Sequence, residues 1–229
     1  VTVDKREVVV DAAGERLEGF LTLPPHTRSL VLFAHGSGSS RFSPRNNAVA
    51  AELNDAGIGT LLFDLLTAAE HRVDEVTREY RFDIERLARR LAAAVDWAAD
   101  YPDTAALNLG LFGSSTGAAA ALIAAAARPQ CVKAVVSRGG RPDLAGAALP
   151  LVQAPTLLLV GGEDIQVIEL NRQAAAQMEH LQRTGPGPQL EIVPGATHLF
   201  EEPGTLAQVV RLAIDWFQEY LGDAPSQAV

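Results

Sequence analysis

Three observations predict an α/β fold: a mostly parallel sheet with an N-terminal antiparallel hairpin and helices on both faces. Leu30–Ala34 is a continuous apolar run of strand length, the pattern of a strand buried on both faces, and Ile58–Phe63 reads as another buried strand. Segments of helical periodicity separate such runs, and repeated strand–helix alternation leads to a parallel sheet. Ahead of them, Glu7–Val10 and Arg16–Leu23 flank Asp11-Ala12-Ala13-Gly14, which reads as a hairpin at the sheet edge.

The remaining elements follow in order. Pro24-Pro25 ends the hairpin. After the strand closing at Ala34 comes His35-Gly36-Ser37-Gly38-Ser39-Ser40, then Ser43 as N-cap with Pro44 at the first helical position. That helix stops at Gly57, suited to the left-handed C′ position. Phe82–Tyr101 is an amphipathic helix with Asp83 as cap and Pro102 as stop. Ile84, Leu87, Leu91, Val95 and Ala98 share one face, with Arg86, Arg89, Arg90 and Asp96 on the others. Leu107, Leu109, Leu111 and Phe112 lead a strand into Gly113-Ser114-Ser115-Thr116-Gly117, after which Ala118–Ala127 is helical up to Arg128-Pro129. Val132–Ser137, Thr156–Val160 and Gln189–Val193 are further strands. They alternate with helices at Gln166–Leu181 and Thr205–Leu221, whose aromatics Trp216, Phe217 and Tyr220 have core spacing.

With 229 residues and 48% hydrophobic content, a sizeable core and one domain over 1–229 are expected. The net charge of −9 argues against nucleic acid and anionic membrane as partners. The one cysteine, Cys131, excludes an intramolecular disulfide, fits a reducing compartment, and is expected to be buried and inert. The first residues carry no apolar leader-like region, and no run approaches the ~20 apolar residues of a membrane span. A soluble, cytoplasmic protein is the expectation, although Val1 in place of Met leaves room for a removed leader.

Reactive residues gather where strands end. Ser115 lies at the apex of a G-x-S-x-G turn between strand and helix; the geometry lifts its hydroxyl above the sheet and aims the Thr116 amide at an oxyanion. His35-Gly36-Ser37-Gly38, Gly161-Gly162-Glu163-Asp164 and Gly195-Ala196-Thr197-His198 follow other strands, so a parallel sheet opens all of them on one rim. A serine hydroxyl needs a base, imidazole is the suitable one, and a carboxylate must orient the imidazole. His198 and Asp164 would fill those roles, in the order Ser, Asp, His.

On these motifs, including Gly161-Gly162-Glu163-Asp164-Ile165-Gln166-Val167, the sequence resembles the α/β-hydrolase fold and, within it, the compact dienelactone hydrolase-like family. The likeness extends over nearly the whole chain and implies no large cap domain and no cofactor. It implies Ser115 as nucleophile, His198 as base and Asp164 as orienter, with the backbone amides of Ser37 and Thr116 as oxyanion hole. The implied partner is a small-molecule ester. Dienelactone hydrolases proper carry cysteine at the elbow, so Ser115 favours generic ester chemistry. Some relatives of this type are joined to a phosphoribosyltransferase, an activity that no motif here supplies. Thioester or short-peptide hydrolysis by the same residues is the alternative within enzymes, and a non-catalytic binding module the alternative outside them.

Other residues have plainer readings. Ser114 is one place off the apex and is expected to pack or hydrogen-bond, and Glu163 is a solvated acid. The glycine-rich His35–Ser40 stretch lacks the Lys-Ser/Thr of a phosphate loop. His35 is expected to shape its loop and stands as a candidate substrate contact. His71 and Asp74 have helix-like ligand spacing but no third ligand, so no metal is expected. His26 and His180 are surface residues. The charged segment Leu65–Arg81 is expected as a loop at the rim, as is Arg138-Gly139-Gly140-Arg141-Pro142-Asp143. Arg138 or Arg141 could hold a substrate carboxylate by a bidentate contact.

Overall fold

Residues 4–178 and 186–222 are described by the structure, a computed structural model. Strands β1 (Asp4–Ala12) and β2 (Glu15–Leu23) pair antiparallel through Ala13 and Gly14. Both turn residues have positive φ, 56° and 85°, as the tight two-residue turns that match strand twist require. Strand β3 (Ser29–Ala34) precedes helix α1 (Pro44–Asp55), where the Ser43 side chain accepts from Asn46 N and Pro44 opens the first turn. Strand β4 (Gly59–Phe63) follows.

The segment expected as a charged loop contains a helix, α2 (Ala68–Thr77). Thr67 caps it: its hydroxyl accepts from Glu70 N while the Glu70 carboxylate accepts from Thr67 N. Helix α3 (Ile84–Asp100) is capped by Asp83 as expected, with one correction. Arg90 does not face water. It is buried, donating to the Leu65 carbonyl and to both oxygens of Glu70, and so ties α2 to α3.

Strand β5 (Asn108–Ser114) turns sharply into α4 (Thr116–Ala127). Strand β6 (Val132–Arg138) leads to a 3-10 segment, Pro142–Leu151, broken at Gly146. Strand β7 (Thr156–Gly161), α5 (Ile165–Met178), β8 (Gln189–Val193) and α6 (Thr205–Leu221) complete the described chain. The expected helical residues 179–181 lie outside the described residues, as does His180.

The sheet has eight strands in the order β1-β2-β4-β3-β5-β6-β7-β8. β2 meets β4 antiparallel, and every pair from β4 to β8 is parallel. Alternation along each strand splits the core in two. Leu32 and Leu111 join Leu91 of α3 and Ala121 of α4 on one face. Phe33 and Phe112, stacked at 4.9 Å, join Leu53 of α1 and Phe217 of α6 on the other. Each of these buried Leu and Phe side chains contributes about 1.5–3 kcal/mol. No described helix is long and apolar enough to cross a membrane. Cys131 is half-buried just ahead of β6, and His26 is exposed.

Candidate active site

The turn between β5 and α4 carries Ser115 at φ 53° and ψ −123°, a conformation costing a residue with a Cβ about 1–3 kcal/mol. Its backbone is fastened on both sides. Ser115 N donates to the Arg138 carbonyl at 3.2 Å, and its own carbonyl accepts from Ala118 N and Arg141 N, each at 3.1 Å. The turn is tight enough to demand its glycines. A Cβ on Gly117 would stand 2.2 Å from the Ala34 carbonyl oxygen, and one on Gly113 would stand 2.5 Å from Ala118 Cα. Ser115 therefore precedes the first N–H groups of α4, which have no intrahelical acceptor.

Asp164 ends the turn after β7, and His198 lies within the loop after β8. His198 Nδ1 lies 2.7 Å from Asp164 Oδ2. A carboxylate oxygen accepts, so Nδ1 is the donor in this contact, which selects the imidazole tautomer whose Nε2 can act as acceptor. The loop is braced from behind: Thr197 N donates to Glu202 Oε2 at 3.0 Å, and the Thr197 hydroxyl donates to Oε1 at 2.5 Å. Phe200 closes the same loop at φ 55° and is buried. Ser115, Asp164 and His198 line one cleft of about 470 Å³. Among the described residues no hydrogen bond yet joins the imidazole to the Ser115 hydroxyl; such bonds commonly tighten only when a ligand is bound. The arrangement brings a hydroxyl, an oriented imidazole and a helix N-terminus to one opening.

Ser37 and Thr116 line the cleft as well. Thr116 opens α4, but the Ser37 amide donates to Thr116 Oγ1 at 3.0 Å. Of the two amides expected to form an oxyanion hole, that of Ser37 therefore has a side-chain acceptor in this structure.

Two candidate substrate contacts are also corrected. His35 is buried, and both ring nitrogens serve the backbone: Nε2 accepts from Leu65 N at 3.0 Å and Nδ1 donates to the Gly36 carbonyl at 2.9 Å. Burial pushes its pKa down, so it stays a neutral loop-former. Arg141 lines the cleft, but Asp143 takes its guanidinium in two bonds of 2.8 and 2.9 Å. Arg138 differs. Only 5% exposed, it donates to Asn46 Oδ1 at 3.1 Å, has no carboxylate in ion-pair range, and its Nε has no partner among the described residues. Burial, and then the nearby Arg45 charge, bring its pKa down to about 10.

Several contributors were not anticipated. Asn46, in the first turn of α1, links Arg138 to the Ser114 hydroxyl, to which its Nδ2 donates at 3.3 Å. Ser114 is buried and packs as expected, while Phe82 and Leu199 give the cleft an exposed apolar rim. The signal for Asn46 was Ser43-Pro44, which places residue 46 in a first turn. Nothing in sequence marks Phe82 as facing the cleft. His71 and Asp74 do not converge: His71 sits 3.6 Å from Glu75, whereas Asp74 is buried against Arg81. No cluster suited to a metal ion occurs among the described residues. A larger groove of about 940 Å³ runs along α3 and α4, past Trp97 and Tyr101, and contains no histidine or candidate nucleophile.

Comparison with known proteins places this geometry in context. The dienelactone hydrolase family profile matches residues 45–221. Proteins of two Mycobacterium tuberculosis strains, CDC 1551 / Oshkosh and H37Rv, each named "Putative phosphoribosyl transferase", are 57% identical over 222 residues. That alignment covers 96% of this chain and 48% of each of theirs, so the chain spans about half the length of these relatives. The crystal structure of a dienelactone hydrolase from Anabaena variabilis superposes with a TM-score of 0.92 at 52% identity, covering 96% of this chain and all of that one. Est1E from Butyrivibrio proteoclasticus shares the fold, with a TM-score of 0.74 at 18% identity over 93% of this chain and 98% of its own. With the profile spanning most of its length, the chain belongs to the dienelactone hydrolase family.

Proposed function

We propose that this member of the family is a serine hydrolase cleaving small esters or lactones through an acyl-enzyme on Ser115. The observation that carries this reading is the 2.7 Å bond from His198 Nδ1 to Asp164, in the cleft that Ser115 also lines. In the proposed cycle, His198 Nε2 takes the Ser115 proton as the oxygen attacks the acyl carbon, and Asp164 stabilises the imidazolium. The amides of Thr116 and Ser37 stabilise the oxyanion. The imidazolium then gives its proton to the leaving alcohol. Water, activated by the same imidazole, releases the acid and frees Ser115. Every proton in this cycle is moved by a side chain of this protein. The test is Ser115→Ala assayed on p-nitrophenyl acetate. The reading expects kcat to fall by up to ~10⁶, and retention of most turnover contradicts it.

Arg138 points to the substrate's chemistry. Arg41, Arg81, Arg90 and Arg141 each face a carboxylate, whereas Arg138 is buried at the cleft without one among the described residues. Its guanidinium is met by Asn46 Oδ1 and by the Phe200 ring at 6.0 Å, neither of which carries a negative charge; an acidic group on the ester would supply that charge and offset the cost of the buried cation. Arg138→Met should then raise KM for a carboxylate-bearing ester several-fold more than for its neutral analogue. Equal effects on the two would remove this part of the reading.

Hydrolysis of thioesters or short peptides uses the same residues, and a panel of leaving groups separates these from esters. One further reading, from outside enzymes, is a non-catalytic binding module on the same fold. Wild-type protein that folds but hydrolyses no member of the panel would support it.

A further inference from the structure

The protons around the occupied Ser37 amide can be placed one by one. Ser37 Oγ lies 2.8 Å from the Arg81 carbonyl, which can only accept, so its single proton is committed there. Across the 2.7 Å contact between the Ser37 and Thr116 hydroxyls, Thr116 is therefore the donor. Thr116 Oγ1 still has a lone pair, and it faces the Ser37 N–H at 3.0 Å. The chain thus runs from the Ser37 amide to the Thr116 hydroxyl, the Ser37 hydroxyl and the Arg81 carbonyl. Its far end is rigid, because Asp74, 1% exposed, accepts from Arg81 N at 2.9 Å and Arg81 Nε at 2.8 Å.

We propose, resting on the reading of Ser115 as nucleophile, that the Thr116 hydroxyl is a placeholder that satisfies the Ser37 amide between turnovers and yields it to the substrate oxyanion. An amide left without an acceptor in a partly closed cleft destabilises the fold, and the hydroxyl removes that penalty. An oxyanion is the stronger acceptor, since charge-assisted hydrogen bonds are roughly twice as strong as neutral ones. The exchange therefore proceeds as charge develops. Breaking the resting bond subtracts from transition-state stabilisation, so the placeholder trades rate for stability. The side chain of Thr116 is in this sense a positioning group, acting through the amide of Ser37.

The variant that isolates this role is Thr116→Val, which keeps the shape and removes the acceptor. On p-nitrophenyl acetate the proposal expects kcat to rise roughly two- to tenfold, the span of one neutral hydrogen bond expressed as a rate, with KM little changed. Phenylboronic acid, whose adduct with serine mimics the oxyanion, should bind tighter by a similar factor. The thermal midpoint should fall by roughly 2–4 °C. Thr116→Ser restores the hydroxyl and should move all three values back towards wild type. Thr116→Ala, with the same expected signs, serves if the valine variant does not fold. A fall in kcat together with the midpoint, or a lower midpoint with kcat and boronate affinity unmoved, overturns the proposal while wild-type turnover leaves the Ser115 reading standing. A wild-type protein that neither turns over nor binds the boronate overturns both.

Discussion

Ser115 occupies a backbone conformation that its side chain disfavours, and the bonds to Arg138, Ala118 and Arg141 hold it there. Close by, Asp164 fixes which nitrogen of His198 carries the proton. This makes Asp164→Asn the most informative exchange at this scale. It preserves shape but favours the wrong tautomer, and kcat should drop by about 10⁴ with the thermal midpoint little changed. A loss below tenfold would mean that Asp164 does not orient the imidazole during turnover. Sequence reading singled out these residues because each lies in a glycine-containing turn or loop that follows a strand. It could not sort the arginines. Arg141 finds its acid two residues away, a local contact invisible without the turn's shape, whereas Arg138 and its partner Asn46 are 92 residues apart.

At the scale of elements, α2 is where charge density misled. Leu65–Arg81 was expected as a solvated loop, yet Thr67-x-x-Glu70 is a capping box and its acid is satisfied twice over. Burial pushes the Glu70 pKa up, but bonds from Arg90 and the Thr67 amide outweigh it and hold it at about 2, against an ordinary 4.5. A carboxyl depressed on folding contributes stability that is present above pH 4.5 and is lost as pH falls from there towards 2. Urea titrations should show this loss in wild type and a flatter acid limb in Glu70→Gln; matching limbs would contradict the assignment. Thr67→Ala should cost about 1 kcal/mol through the lost cap, measurable in the same titration. The turn into α4 tolerates less. In Gly117→Ala the new methyl meets the Ala34 carbonyl, and destabilisation above ~4 kcal/mol is expected, seen as loss of soluble protein. The capping box was legible in the sequence; the bond from Arg90 was not, because helical spacing alone placed that arginine away from the apolar face.

Over the whole molecule, the parallel strands put every loop of interest on one rim, and this was legible from strand–helix alternation alone. The sheet order was not. Nothing in the sequence says that β4 lies between β2 and β3, since the pairing depends on backbone contacts distant along the chain. Charge is distributed unevenly too. The chain carries −9, while the cleft is lined by Arg45, Arg138 and Arg141 against the one carboxylate of Asp164. Acidic esters should therefore lose kcat/KM as salt rises from low ionic strength to 0.5 M, whereas neutral esters should not; parallel salt curves would count against Arg138 as the anion contact. The central claim is that Ser115 is activated by His198 across this rim. Its most direct test is peptide mass spectrometry of protein treated with a fluorophosphonate. The account predicts a covalent adduct on Ser115 that forms rapidly in wild type and is strongly suppressed in His198→Ala. Folded wild-type protein with no adduct at Ser115, or equally fast labelling without the imidazole, would contradict it.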